Sequence, residues 1–212
     1  MERWLEIETT INTVNWKGEP IQLVNVKALK DPKTGEIMAY PSEVAKAEVS
    51  QIAEELRICP RDIGTLLMIL VKPGNFNEGD VFYKYHLQKM LFYLWKLSNR
   101  TYGEALQLDC FVPAENGPVP KNLDADLERF EHDCIIRTKR EKTEYGYAKR
   151  IILTDQGKQL ASRLLSQLPK PYTEIALNAK KRIYALTPDQ VRHLVHKEFP
   201  EYRNTYTKND IE

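Results

Sequence analysis

Cysteine is scarce and unpatterned in this chain of 212 residues: Cys59, Cys110 and Cys134 form no C-x-x-C pair and leave an odd thiol. That usage excludes a disulfide-stapled scaffold and suits a reducing compartment, so an intracellular, cytoplasmic protein is expected. Long apolar runs are missing too. The longest, Leu66 to Val71, falls far short of the ~20 residues of a membrane span, and Met1-Glu2-Arg3-Trp4-Leu5-Glu6 contains no apolar h-region. Neither a membrane partner nor export is expected. An excess of charge is also lacking, because 31 basic and 30 acidic side chains leave a net +1. This excludes the bulk positive field of a general nucleic-acid coat protein, and any such contact must come from a local patch. Glycine and proline, at 9 and 12 residues, are too few for a collagenous or low-complexity chain. What remains is a globular chain long enough to bury a core without a metal or disulfide.

Between Leu5 and Tyr40 the apolar residues recur with period two, interrupted by the turn signals around Gly18-Glu19-Pro20 and Asp31-Pro32-Lys33-Thr34-Gly35. That pattern predicts a small β-meander. After Pro41 the period becomes helical. A helix with Ser42 as N-cap runs to Leu56, and a second begins at Pro60 and stops at Pro73-Gly74. A third starts near Asp80 and covers Val81 to Leu97, apolar nearly all round and therefore buried on most sides. A short strand from Leu108 to Val112, the break Asn116-Gly117-Pro118 and a helix from Val119 to about His132 follow. Ile135 to Arg140 and Tyr147 to Leu153 read as a hairpin with a charged tip. Thr154 caps the next helix, which ends at Pro169 and Pro171, and two more are expected at Thr173 to Leu186 and Pro188 to Glu198. The last opens on a capping box, with Thr187 at N-cap, Pro188 at N1 and Gln190 at N3.

The order helix, short strand, helix, charged hairpin, helix is that of a winged helix. Its motifs are Leu87-Gln88-Lys89-Met90-Leu91-Phe92-Tyr93-Leu94, Asn116-Gly117-Pro118-Val119-Pro120, Leu127-Glu128-Arg129-Phe130-Glu131 and Leu153-Thr154-Asp155-Gln156-Gly157. In that order, they resemble the Panacea, SocA-antitoxin and YwgA-type group over roughly residues 82 to 168. The chain departs from that pattern at Cys134, where the group often carries glycine. The resemblance implies a winged-helix core and, from the antitoxin members, a protein partner.

The expected fold is therefore α+β, a mainly helical winged helix-turn-helix core with an N-terminal β-meander and extra C-terminal helices. Residues 1–74 hold the meander and a helical pair, 80–168 the winged-helix domain, 169–200 C-terminal helices serving as a dimer interface or a lid on the core, and 201–212 a flexible tail.

Charge points to the hairpin as the place where nucleic acid would be met. Val119 to Asp133 sets Lys121 and Arg129 against five carboxylates, a net −3, which opposes approach to phosphates. Cys134 to Arg150 sets Arg137, Lys139, Arg140, Lys142, Lys149 and Arg150 against Glu141 and Glu144, a net +4. These six cations are the candidate phosphate contacts, and Lys121 and Asn122, at the start of the preceding helix, are the candidate groove contacts. A solvated, purely structural hairpin explains the same charges, and both readings stand at this level.

A second helix-turn-helix pattern, Gln51 to Ile63, has Arg57 where glycine is usual. Its second helix carries Leu66-Leu67-Met68-Ile69-Leu70, which favours core packing over base reading. The aromatic residues crowding Tyr83 to Trp95 are likewise explained by core packing. Catalysis finds no foothold. His86, His132, His193 and His196 have no partner at a metal-ligand spacing, and P-loop, G-x-S-x-G and H-E-x-x-H patterns are absent. No enzyme and no cofactor are expected. The functional expectation is a DNA-binding transcriptional regulator acting on double-stranded DNA as a homodimer. The alternative is a non-catalytic, antitoxin- or adaptor-like module that presents its acidic helix to a protein partner.

Overall fold

The computed structural model describes residues 4–71, 83–108, 111–114 and 116–202. Its class is α+β. The expected meander is a three-stranded antiparallel sheet of β1 (Leu5–Val14), β2 (Pro20–Lys30) and β3 (Ile37–Ala39), with β2 in the centre. Asn15 closes the first turn, its side-chain oxygen accepting from the backbone N–H groups of Lys17 and Glu19 at 2.9 Å each. The central strand supplies the buried residues Leu23, Val26 and Ala28, and β2 is the strand packed on α1 (Pro41–Leu56).

Tyr40, not Ser42, is the N-cap of α1. Pro41 occupies the first turn, and no side chain caps this end. The turn into α2 (Pro60–Leu70) follows from how α1 ends. Arg57 adopts φ 56°, ψ 46°, and the N–H groups of Arg57 and Ile58 bond to the carbonyls of Glu54 and Ala53 at 3.0 and 2.9 Å. This pairing closes a helix with a left-handed residue and an apolar one after it. It recurs at Gln107 (φ 51°) and at Cys134 (φ 55°), whose following residues Leu108 and Ile135 are both buried. Glycine is the usual occupant because a Cβ costs energy there. In α2, Ile63, Leu66, Leu67 and Met68 have no exposed surface, so this helix serves the core. The Pro73-Gly74 stop lies outside the described residues, and the next helix starts at Lys84, later than expected, because Tyr83 is extended and bridges to Arg150.

The central helix, α3 (Lys84–Leu97), buries Leu87, Met90, Leu91, Phe92, Tyr93 and Leu94 to within 2% of complete. A short α4 (Asn99–Ala105) follows, too brief to show helical periodicity in the sequence. Around α3 lie α7 (Lys170–Ile183) and α8 (Pro188–Glu198), with Ala176, Ala179, Ile183, Val191 and Val195 fully buried. One apolar cluster runs through helices from α1 to α8. The aromatic residues are structural: Phe92 meets Phe199 and Tyr202 edge-on with centroids 5.0 Å away, and Trp95 stacks on Phe111. Lys96 Nζ lies 4.6–5.5 Å from the rings of Trp95, Tyr202, Phe199 and Phe92, fastening the turn at Pro200–Tyr202 onto α3. The helix expected over Thr173 to Leu186 begins earlier and ends sooner, because Pro171 fits its first turn instead of preceding it. The capping box of α8 is present as read.

Phe111–Val112 is strand β4, and its partner β5 is Val119–Pro120, so Val119 does not begin a helix. A residue before proline is pushed towards extended backbone, and Val119 lies between two prolines. The helix begins later, as α5 (Leu123–His132). Lys89, with no exposed surface, sits behind this β-pair and donates to the carbonyls of Gly117 and Pro118 at 3.0 and 2.8 Å. Gly117 has φ +85°, and a Cβ there would lie 3.1 Å from Val195 Cγ1, so both backbone shape and space select glycine.

Burial drives the Lys89 ammonium down from 10.5 to about 7. Between those values the unfolded chain holds the proton and the folded chain does not, so stability rises as pH increases through that window. From pH 7 to 9.5 the gain is about 3 kcal/mol. Urea unfolding at a series of pH values should show the slope in the native chain and lose it in Lys89→Met.

Candidate nucleic-acid interface

The hairpin is longer than its sequence suggests. Strands β6 (Ile136–Thr143) and β7 (Gly146–Leu153) leave only Glu144 and Tyr145 between them, and the Thr143 hydroxyl donates to the Gly146 carbonyl at 2.9 Å. Its root is fixed to α6 (Asp155–Gln167). Thr154 Oγ1 accepts from the Gly157 N–H at 3.0 Å and shares its hydrogen between the carbonyls of Cys134 and Ile135, at 2.5 and 3.1 Å. Tyr83 bridges to Arg150 in β7.

Cross-strand register divides the six cations. Ile136 faces Leu153, Lys139 faces Arg150, Arg140 faces Lys149 and Lys142 faces Tyr147. Side chains alternate along a strand, so Arg137, Lys139 and Arg150 lie on one face, and Arg140, Lys142 and Lys149 on the other. Arg137 and Lys139 share a face as expected, but the set of six does not form a single row.

The two faces are compensated to different extents. Glu141 lies 3.5 Å from Lys139 and 3.3 Å from Arg150, while Lys149 is 3.7 Å from Glu131 of α5. Glu131 also accepts from the N–H and hydroxyl of Thr138, and the hydroxyl is the main reason its carboxyl is held below the usual range. The Arg140 guanidinium lies over the Tyr147 ring at 4.4 Å and remains exposed. Arg137 and Lys142 are exposed and have no carboxylate partner among the described residues.

Lys121 and Asn122 are exposed at the other end of α5, in the turn before its first residue, and Asn122 is the N-cap. Ten residues at ~1.5 Å each make that helix about 15 Å long, so these two residues lie about that far from Glu131, which Lys149 of the hairpin approaches.

The carboxylates of α5 are partly committed within the chain. Asp124 pairs with Lys84. Asp126 takes a two-pronged contact from Arg61, with Nε 2.9 and 3.1 Å from its oxygens, and lies 3.4 Å from Arg129. Arg129 reaches on to Asp62 at 2.5 Å, and Asp62 has no exposed surface and also accepts from the Cys59 N–H at 2.7 Å. Hydrogen bonding to Asp62 holds the Arg129 proton more tightly than usual, and Asp126 does the same for Arg61. Of the five carboxylates behind the net −3, Asp126 and Glu131 are drawn into these contacts, while Asp124, Glu128 and Asp133 remain exposed.

Two cations outside the hairpin flank the site. Lys158 of α6 lines, with Arg137 and Arg150, an open groove of about 1050 Å³ floored by Ile152, Leu165 and Leu177. Its signal is helical spacing, one turn from its partner Asp155 at 3.1 Å. Arg192 shares with Lys142, Tyr145 and Tyr147 a second groove of about 750 Å³, between the hairpin tip and the start of α8. No sequence spacing links these two segments. Among the described residues no cluster of three or more metal-ligating side chains occurs, and no helix is long and apolar enough to cross a membrane. No family model matches this chain, and a search of characterised proteins returns no match.

Proposed function

We propose that this chain is a winged-helix DNA-binding protein, a transcriptional regulator that grips the phosphate backbone of double-stranded DNA through the β6–β7 hairpin. The observation carrying this reading is that Arg137, Arg140 and Lys142 are exposed on the hairpin and none is paired with a carboxylate among the described residues. Unpaired surface cations are available to replace condensed counterions, the sequence-independent part of such binding. The alternative, an acidic helix offered to a protein partner, draws less support, because Asp124, Asp126 and Glu131 are engaged by cations of the same chain.

Anisotropy titration of a labelled random duplex tests the proposal. Three phosphate contacts predict a log–log salt slope near −2.7 and a roughly 40-fold loss of affinity between 50 and 200 mM salt. Changing Arg137, Lys139, Arg140 and Lys142 together to Ala should abolish binding, with the circular dichroism spectrum retained. Absence of duplex binding at low salt, or unchanged binding by the quadruple variant, overturns it.

A further inference from the structure

The N-terminal sheet has two unlike edges. At one, β3 is three residues long, the kind of short edge that resists further pairing. At the other, β1 runs for ten residues, Leu-Glu-Ile-Glu-Thr-Thr-Ile-Asn-Thr-Val, without proline or lysine, and among the described residues it pairs only with β2. The bulge of this sheet falls on β2, where Asn25 has φ 53° and the register steps between Thr9 and Ile11, so β1 itself alternates without interruption. Its inward row, Ile7, Thr9, Ile11 and Thr13, remains half-buried, whereas β2 beside it is covered by α1. Leu5 in β1 is 53% exposed. An edge that is long, regular and partly apolar is a template for another strand.

We propose that β1 pairs antiparallel with β1 of a second copy of this chain, joining the two meanders into one six-stranded sheet across a two-fold axis at Thr9. Charge and the isoleucine row together choose this register, since axes at Thr10 or Ile11 oppose no like charges but set Ile7 against Thr13 or beyond the end of the strand. An axis at Ile7 sets Glu6 against Glu8 of the second copy, and an axis at Glu8 sets that carboxylate against itself, and like charges directly opposite are unfavourable. With the axis at Thr9, Glu6 meets Asn12, Glu8 meets Thr10, and Ile7 meets Ile11 twice, once on each side of the axis. The half-buried isoleucines then cover one another on the inward face. The same patch serves both copies, so the assembly closes as a dimer. This surface is separate from the hairpin, and its test needs no DNA.

Cysteine crosslinking is the experiment, in full-length chain with the three native cysteines changed to serine. Thr9→Cys places two thiols opposite each other at the axis and should form a covalent dimer on mild oxidation. Thr13→Cys, opposite Leu5, should crosslink at least tenfold more slowly. Sedimentation should show a concentration-dependent dimer in the native chain, with Thr9→Lys weakening it at least tenfold while leaving the circular dichroism spectrum intact. A native chain that stays monomeric up to 100 µM overturns the proposal and leaves the edge to a strand of a different protein. Equal crosslinking at positions 9 and 13 overturns it as well.

Discussion

Replacing Gly157 by Ala is expected to lower the unfolding free energy by about 3 kcal/mol, the upper end of what one added methyl group without room usually costs. A Cβ at this position would lie 2.0 Å from the Ile135 carbonyl oxygen and 3.0 Å from its carbon. Both are backbone atoms, so no side-chain rotation relieves the overlap. The first turn of α6 must move away from the root of the hairpin. That movement also breaks the bonds tying Thr154 to Cys134, Ile135 and Gly157, a capping arrangement worth ~1 kcal/mol on its own. For a chain of this size the loss corresponds to a fall in melting temperature of roughly 10 °C. Calorimetry of Gly157→Ala against the neighbouring Gln159→Ala, exposed and expected to change stability by less than about 0.5 kcal/mol, checks it. Equal melting temperatures for the two variants would remove the close approach as the reason for this glycine.

Asp62→Ala is expected to cost about 3 kcal/mol, because it deletes the fully buried member of an ion pair and leaves Arg129, a third exposed, with a weaker partner. Asp62 is fully buried, and its two oxygens serve Arg129 and the Cys59 N–H. Without it Arg129 keeps only the more distant Asp126, at 3.4 Å, and α2 loses the half of its capping box that binds the Cys59 N–H. The cause is separable from simple loss of packing. Replacing the pair together, Asp62→Leu with Arg129→Met, should recover a large part of the loss, since an apolar pair leaves no charge unpaired. Chemical denaturation of the two variants decides. If the double variant is no more stable than Asp62→Ala, the stranded charge is not the source of the cost.

Elements whose signals lie within a few residues were legible in the chain. The meander follows from alternation and two turns, α8 from Thr187-Pro188-Asp189-Gln190, and α6 from Thr154 and Gly157. Where two local signals compete, the backbone constraint of proline outweighs apolar spacing. Apolar spacing drew Val119 into α5, but its place between prolines made it a strand, and Pro171 was read as a stop when it supports a helix start. The short α4 carried too little periodicity to be noticed.

The candidate interface was legible as a composition but not as an arrangement. Six cations near residue 140 are visible in the sequence, and strand alternation places Arg137 and Lys139 together. Neither reveals that Glu141 spans Lys139 and Arg150 while Arg137 and Lys142 stay unpaired.

By itself the sequence determined the kinds of element, the buried stripes and the sites of its turns, because backbone preference and amphipathic spacing act between neighbours a few residues apart. Tertiary structure alone decided which charges face solvent. Arg61 reaches Asp126 across 65 positions and Arg129 reaches Asp62 across 67, and such pairing depends on distance in space, which the fold sets and chain order does not. It likewise decided that Arg57, Gln107 and Cys134 take a backbone shape that local preference disfavours, because the apolar residue after each packs in or against the core.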